Sequence, residues 1–156
     1  MRRLLATLLI TLALAATASA QLADKKALTL AAAKKMAAAA EVEAVKNNWR
    51  MVIVVVDDGG HLIYLQRTDE TQAGSIEVAI QKAKSAVMFR RPTKVWEDAI
   101  AGGRNAILGL GGAVPFEGGV PIMLDGKLLG AVGVSGASAA QDGQVARAGV
   151  DALPAK

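Results

Sequence analysis

Glu117–Asp142 reads EGGVPIMLDGKLLGAVGVSGASAAQD, and this stretch decides the fold. Two short apolar runs, Val120–Leu124 and Leu128–Val134, flank Asp125-Gly126. Asp-Gly between apolar runs predicts a β-hairpin, because both central residues of a type I′ turn need positive φ. Gly130 and Gly133 interrupt the second run. Glycines inside a strand mark a bulge, or a place where another backbone or a ligand comes close. The hairpin is therefore either tightly packed inside the domain or a binding surface floored by glycines. Ser135-Gly136 ends the run, and Ser138-Ala139-Ala140-Gln141 matches a capping box, with Asp142 adding negative charge to the first helical turn. That final helix is expected to reach about Leu153 and to stop before Pro154.

Working outward, Met51–Val56 is an uninterrupted apolar run rich in β-branched residues, which reads as a central strand covered on both faces. Asp57-Asp58-Gly59-Gly60 is a turn, and His61–Arg67 returns as the partner strand. Thr29 can cap a helix running to about Lys46, with Leu30, Ala33, Ala37, Ala40 and Ala44 on its inner face. A second helix starts at Ser75, with Ile76, Ala79, Ile80, Ala83 and Val87 inside, and stops near Phe89 because Pro92 disfavours helix at Arg91. Thr93 can cap a short third helix that Gly102-Gly103 ends, and Asn105–Ala113 reads as a loop or half-turn. Helix, two strands, two helices, two or three strands, helix defines an α+β domain: an antiparallel sheet with flanking helices.

The chain has 156 residues, enough for one domain with a sizeable core. Its first twenty residues carry Arg2 and Arg3, an apolar run from Leu4 to Ala16, and Ala18-Ser19-Ala20. That pattern reads as a secretory signal peptide with Gln21 the first mature residue, and the apolar run is shorter than the roughly 20 residues a membrane span requires. Residues 21–156 then form a single domain, periplasmic or secreted. Cleavage takes the formal charge from +4 to +2, which leaves no electrostatic footprint for nucleic acid. Cysteine is absent and histidine occurs once, so a disulfide framework, a thiolate nucleophile, a Cys-bound haem and a structural zinc site are all excluded or nearly so.

These elements resemble the GlcG/HbpS-type haem-binding family, which includes the C-terminal domain of PduO-type corrinoid adenosyltransferases. The resemblance rests on LTLAAAKKMAAAA at Leu28–Ala40, VVVDDGGHLIYLQR at Val54–Arg67, KAKSA around Ala83, and GGVPIMLDGKLLGAVGVSG at Gly118–Gly136 followed by Gln141-Asp142. It covers about Leu28 to Leu153. It implies a profilin-like or PAS-like sandwich, assembly into compact homo-oligomers that are often octamers, and haem binding in some members, with roles in haem capture or redox sensing outside the cytoplasm.

His61, the only imidazole, lies just past the turn at the start of a strand. A neutral imidazole is a good axial ligand for haem iron, although a polar residue also simply finishes a turn. Met51, Met88, Met123 and Tyr64 are formal alternatives. Haem propionates need cations, and Arg67, Arg90, Arg91, Lys94 and Arg104 are the candidates, with Arg90-Arg91 the densest pair. Each is also an ordinary solvated charge if no ligand is present. Phe89 and Trp96 can stack on a flat ring or fill the core. No acid pair has dyad spacing, and Ser135 stands in V-S-G, outside a nucleophile elbow. Ser135, Gly136 and Ser138 do open a helix, where backbone N–H groups can hold a carboxylate or phosphate. The leading expectation is thus an exported, non-catalytic protein that binds b-type haem non-covalently. An enzyme or accessory protein acting on small organic acids and an oligomeric sensory or structural module are the alternatives.

Overall fold

A computed structural model describes residues 25–153; the expected signal peptide lies outside them. Helix α1 spans Leu30–Lys46, strands β1 and β2 span Val52–Asp57 and Leu62–Arg67, α2 spans Ser75–Phe89 and α3 Lys94–Ala101. A 3₁₀ turn at Asn105–Gly109 leads to β3 (Gly119–Leu124), β4 (Lys127–Ser135) and α4 (Ala139–Asp151). The sheet is antiparallel throughout, in the order β2-β1-β4-β3. The Asn105–Ala113 segment is resolved as a single 3₁₀ turn, and the glycine-rich region supplies two strands, not three.

β1 is central, as its continuous apolar run requires. Val52, Val54 and Val56 face α2, while Met51, Ile53 and Val55 face α1 and α4. All six are fully buried, and burying a side chain of this size is worth about 1.5–3 kcal/mol. The result is three layers: α1 and α4, the sheet, then α2. Small residues permit close approaches within and between these layers. A side chain at Gly133 would run into the Ala79 carbonyl of α2, and one at Gly130 into the Val56 carbonyl of β1. Leu129 is an extra residue between the pairs Ile122–Gly130 and Met123–Leu128, so a bulge also sits beside Gly130. On the other side, a Cβ at Gly149 would stand 3.1 Å from Met36 O and 3.3 Å from Ala40 Cβ.

The turn chemistry follows the residues. Asp125 and Gly126 take φ of +51° and +72°, the two positive values a type I′ turn needs. Thr29 Oγ1 accepts the Ala32 N–H and caps α1; Ser138 and Gln141 complete the capping box of α4. Arg90 ends α2 in the left-handed region at φ +51°. Pro121 lies in β3, an edge strand, where a missing N–H is tolerated.

Two expectations are corrected. Leu30, placed on the inner face of α1, is 51% exposed at the first helical residue, whereas Met36 is fully buried in the stripe. Thr93 stands at the start of α3 but does not cap it. Its Oγ1 accepts the Gly119 N–H at 2.9 Å and its own N–H donates to Gly119 O at 2.9 Å. The hydroxyl is spent on clasping α3 to β3, since an unbonded N–H at that buried strand end is costlier than an uncapped helix start.

Candidate functional site

Two regions gather chemically capable side chains. The first surrounds the β1–β2 turn. Asp57 Oδ1 accepts the N–H groups of Gly59 at 2.9 Å and His61 at 2.8 Å, and Gly60 takes φ +81°. A side chain at Gly59 would strike the imidazole, so this glycine lets the His61 ring fold back over the turn. There Nδ1 lies 3.4 Å from Asp57 Oδ1, and the His61 side chain is 83% exposed. Burial pushes the Asp57 carboxyl up, but the His61 and Gly59 N–H groups outweigh it and hold the group below its ordinary range. A carboxylate behind one ring nitrogen is how proteins orient an imidazole that offers the other nitrogen to a metal.

The same surface continues onto α2. Lys84 packs beneath Gly60, and Met88, one helical turn on, packs beside Gly112. Residues four apart share a helix face, so the His61 turn and Met88, 62% exposed, border one surface. Arg90 and Arg91 follow at the end of α2. The Arg91 guanidinium lies 5.1 Å from the centre of the Trp96 ring, and Phe89 meets that ring edge-on at 5.1 Å. Trp96, Arg104, Ile107 and Leu110 line a cavity of about 220 Å³, and the buried Trp96 Nε1 has no hydrogen-bond partner among the described residues. Arg90 and Arg91 thus stand together at the end of α2, while the His61 turn meets that helix at Lys84. Arg67 pairs with Val52 at the far end of β2, roughly 20 Å from His61 at about 3.3 Å per residue. Lys94 bonds Asp98 at 2.6 Å in solvent. Met51 is fully buried, Met123 is 44% exposed, and the Tyr64 hydroxyl donates to Gln66 Oε1 at 3.2 Å.

The second region lies near the Ser135 end of the sheet. Lys82 Nζ donates to Asp142 Oδ2 at 2.7 Å, and both side chains are 3% exposed. Asp142 Oδ1 accepts the Ala137 N–H at 3.1 Å, and Gln141 Oε1 accepts the Ser138 N–H at 3.1 Å. The amides around Gly136 and Ser138, expected to face an external anion, therefore bond the chain's own Asp142 and Gln141. Burial pushes the Asp142 carboxyl above its ordinary value, against the opposing pull of Lys82 and of the Ala137 and Gly136 amides. Beside the pair opens a cleft of about 300 Å³, walled by Gln72, Val78, Phe116 and Ser135. A Cβ at Gly118 would stand 2.8 Å from Lys82 Nζ, so this glycine makes room for the ammonium. Next to it, Glu117 accepts from Arg147 at 2.6 Å.

This buried pair escaped the sequence reading. Lys82 stands three residues after Ala79 and one before Ala83, inside the buried arc of α2, and a lysine there is the signal that an acid must meet it.

The fold is a small α+β domain, an antiparallel sheet between helices. A sequence model of the HbpS-like family, described as haem degrading protein HbpS-like, matches residues 28–151, and the chain belongs to that family. Protein GlcG of Escherichia coli K12 is 44% identical over 93 residues, 60% of this chain and 69% of that protein. A double mutant of HbpS from Streptomyces reticuli has a similar structure, with a TM-score of 0.78 at 32% identity over 87% of this chain and 93% of that one. A structure described as a PduOC:heme complex gives a TM-score of 0.75 at 28% identity, covering 84% of this chain and 98% of that one. Among the described residues no helix is long and apolar enough to cross a membrane, and no three His, Cys, Asp or Glu residues cluster as a metal site.

Proposed function

We propose that this protein holds b-type haem non-covalently outside the cytoplasm, as a capture or sensing component that does not turn the haem over. The observation that carries this reading is the His61 imidazole, 83% exposed with a carboxylate oxygen 3.4 Å behind Nδ1. Membership of the HbpS-like family and the likeness to a chain solved with haem support it. Bound there, haem would supply an iron centre for redox or ligand sensing. His61 would ligate the iron, and Arg90 and Arg91 would meet the propionates. Arg67 stands at the far end of β2 from His61, roughly 20 Å away at about 3.3 Å per residue, and it is assigned no contact with the porphyrin. The His61 surface offers one wall. Met88 borders it and is exposed, as are Leu108 and Leu110 elsewhere on the chain, and a second copy of the chain would supply the other wall, which makes the working form a homo-oligomer. Asp57 is the acid beside His61, and its Oδ1 is engaged by two backbone amides, which favours binding over haem turnover.

Titration of haemin into residues 21–156 tests this. A saturable Soret shift is expected, altered or lost in His61→Ala. Absence of a saturable shift overturns the haem reading. Identical wild-type and His61→Ala spectra remove His61 as ligand and pass the role to Met88. Haem loss under peroxide faster than that of free haemin would assign turnover.

A further inference from the structure

The cleft beside Lys82 and Asp142 has no part in the haem reading, and at about 300 Å³ it is too small for a porphyrin. That volume suits a ligand of a few heavy atoms, at the lower limit of small-molecule sites. Its floor is an ion pair taken almost wholly out of water. Such a pair contributes little or nothing to stability compared with apolar residues of the same volume. A buried ion pair at the base of a cleft is a candidate binding or reacting site.

The hydrogen-bond capacity at the floor is unbalanced. The Lys82 ammonium carries three N–H groups, and among the described residues it donates only to Asp142 Oδ2. Asp142 accepts from Lys82 and from the Ala137 and Gly136 amides, which fills most of the roughly four lone-pair positions on its two oxygens. The floor therefore has spare donors and few spare acceptors. Lys82 and Asp142 cancel formally, and Asp142 lies in the first turn of α4, at the positive end of that helix's dipole. Above the floor, Phe116 is 57% and Val78 40% exposed, and together they give the cleft an apolar wall. Gln72, whose amide nitrogen is used on Ser75, stands at the margin.

We propose that this cleft binds a small monocarboxylic acid, its carboxylate accepting from the free N–H groups of Lys82 and its short apolar tail lying against Phe116 and Val78. The site is separate from the His61 surface, so either can exist without the other.

Thermal unfolding and calorimetry of residues 21–156 with lactate, pyruvate and butyrate test it, with butyramide as the uncharged control. A ligand present at one hundred times its Kd raises Tm by about 10 °C in a domain of this size. At least one acid is expected to bind saturably and tenfold or more tighter than the amide. Lys82→Met removes that binding. Because this variant strands a buried carboxylate, the double variant Lys82→Met/Asp142→Leu repeats the test in a neutral background. Phe116→Ala, at an exposed position that folding does not need, is expected to weaken binding several-fold. Failure of all three acids to bind, equal affinity for acid and amide, or unchanged binding in the double variant overturns the proposal. Haemin titrations of the same variants are expected to match wild type.

Discussion

Lys82 and Asp142 are the residues with the largest stakes in this molecule. Removing one partner leaves a buried charge unpaired, so Lys82→Met is expected to cost about 3–5 kcal/mol in urea unfolding. The double variant Lys82→Met/Asp142→Leu should recover most of that loss. The pH dependence has a definite sign. Burial raises the folded Asp142 pKa above its ordinary value, so through that window the native state binds more protons than the unfolded chain and this group's contribution falls as pH rises. Without Lys82 the raising influence is less opposed, and the Lys82→Met deficit should be smaller at about pH 5 than at about pH 8. Asp57 behaves oppositely. Its carboxyl is held low by the His61 and Gly59 amides against the upward push of burial, so it gives stability above its unfolded pKa that is lost as pH falls through the folded one. Asp57→Ala should cost about 0.5–1.5 kcal/mol per hydrogen bond lost, and acid titration of the variant should lack that loss. His61 was legible because it is the sole imidazole and ends a turn. The Lys82–Asp142 pair was not, because its members are sixty positions apart and only the packing of α2 on β4 brings them together.

At the level of elements, the hairpin at Asp125-Gly126, the doubly covered β1 and the capping box at Ser138 could all be read from local chemistry. Each depends on contacts within a few residues or on an unbroken apolar run. The choice left open at Gly130 and Gly133, packed interior or ligand floor, required the third dimension. Both glycines face backbone carbonyls: Gly133 faces Ala79 O of α2 and serves the contact between layers, and Gly130 faces Val56 O of the neighbouring strand β1, within the sheet. Gly133→Ala should therefore force α2 off the sheet and cost about 1–3 kcal/mol, the usual range for an overfilled core, visible as a lowered urea midpoint. Ser138→Ala should cost about 1 kcal/mol through loss of its bond to the Gln141 N–H. The role of Thr93 was misread for the same reason that the glycines were ambiguous. A hydroxyl at a helix start looks like a cap until β3 is seen to end against it.

For the whole molecule, the order of elements and the α+β class were fixed by strand pairs joined through tight turns, and family membership extends over residues 28–151. The separation of Arg67 from His61 already follows from reading His61–Arg67 as one strand, since a strand holds its two ends apart by its full length. If residues 1–20 direct export as their composition suggests, mass spectrometry of the periplasmic or secreted protein should give a chain beginning at Gln21. The outer strands of the sheet differ in what they permit. On one side, Pro121 of the edge strand β3 takes an amide out of the row that another polypeptide would need. On the other, β2 begins at the residue after His61. Any neighbour that lengthens this sheet must therefore lie along β2, and the direction of such growth is tied by position alone to access to the chain's single imidazole.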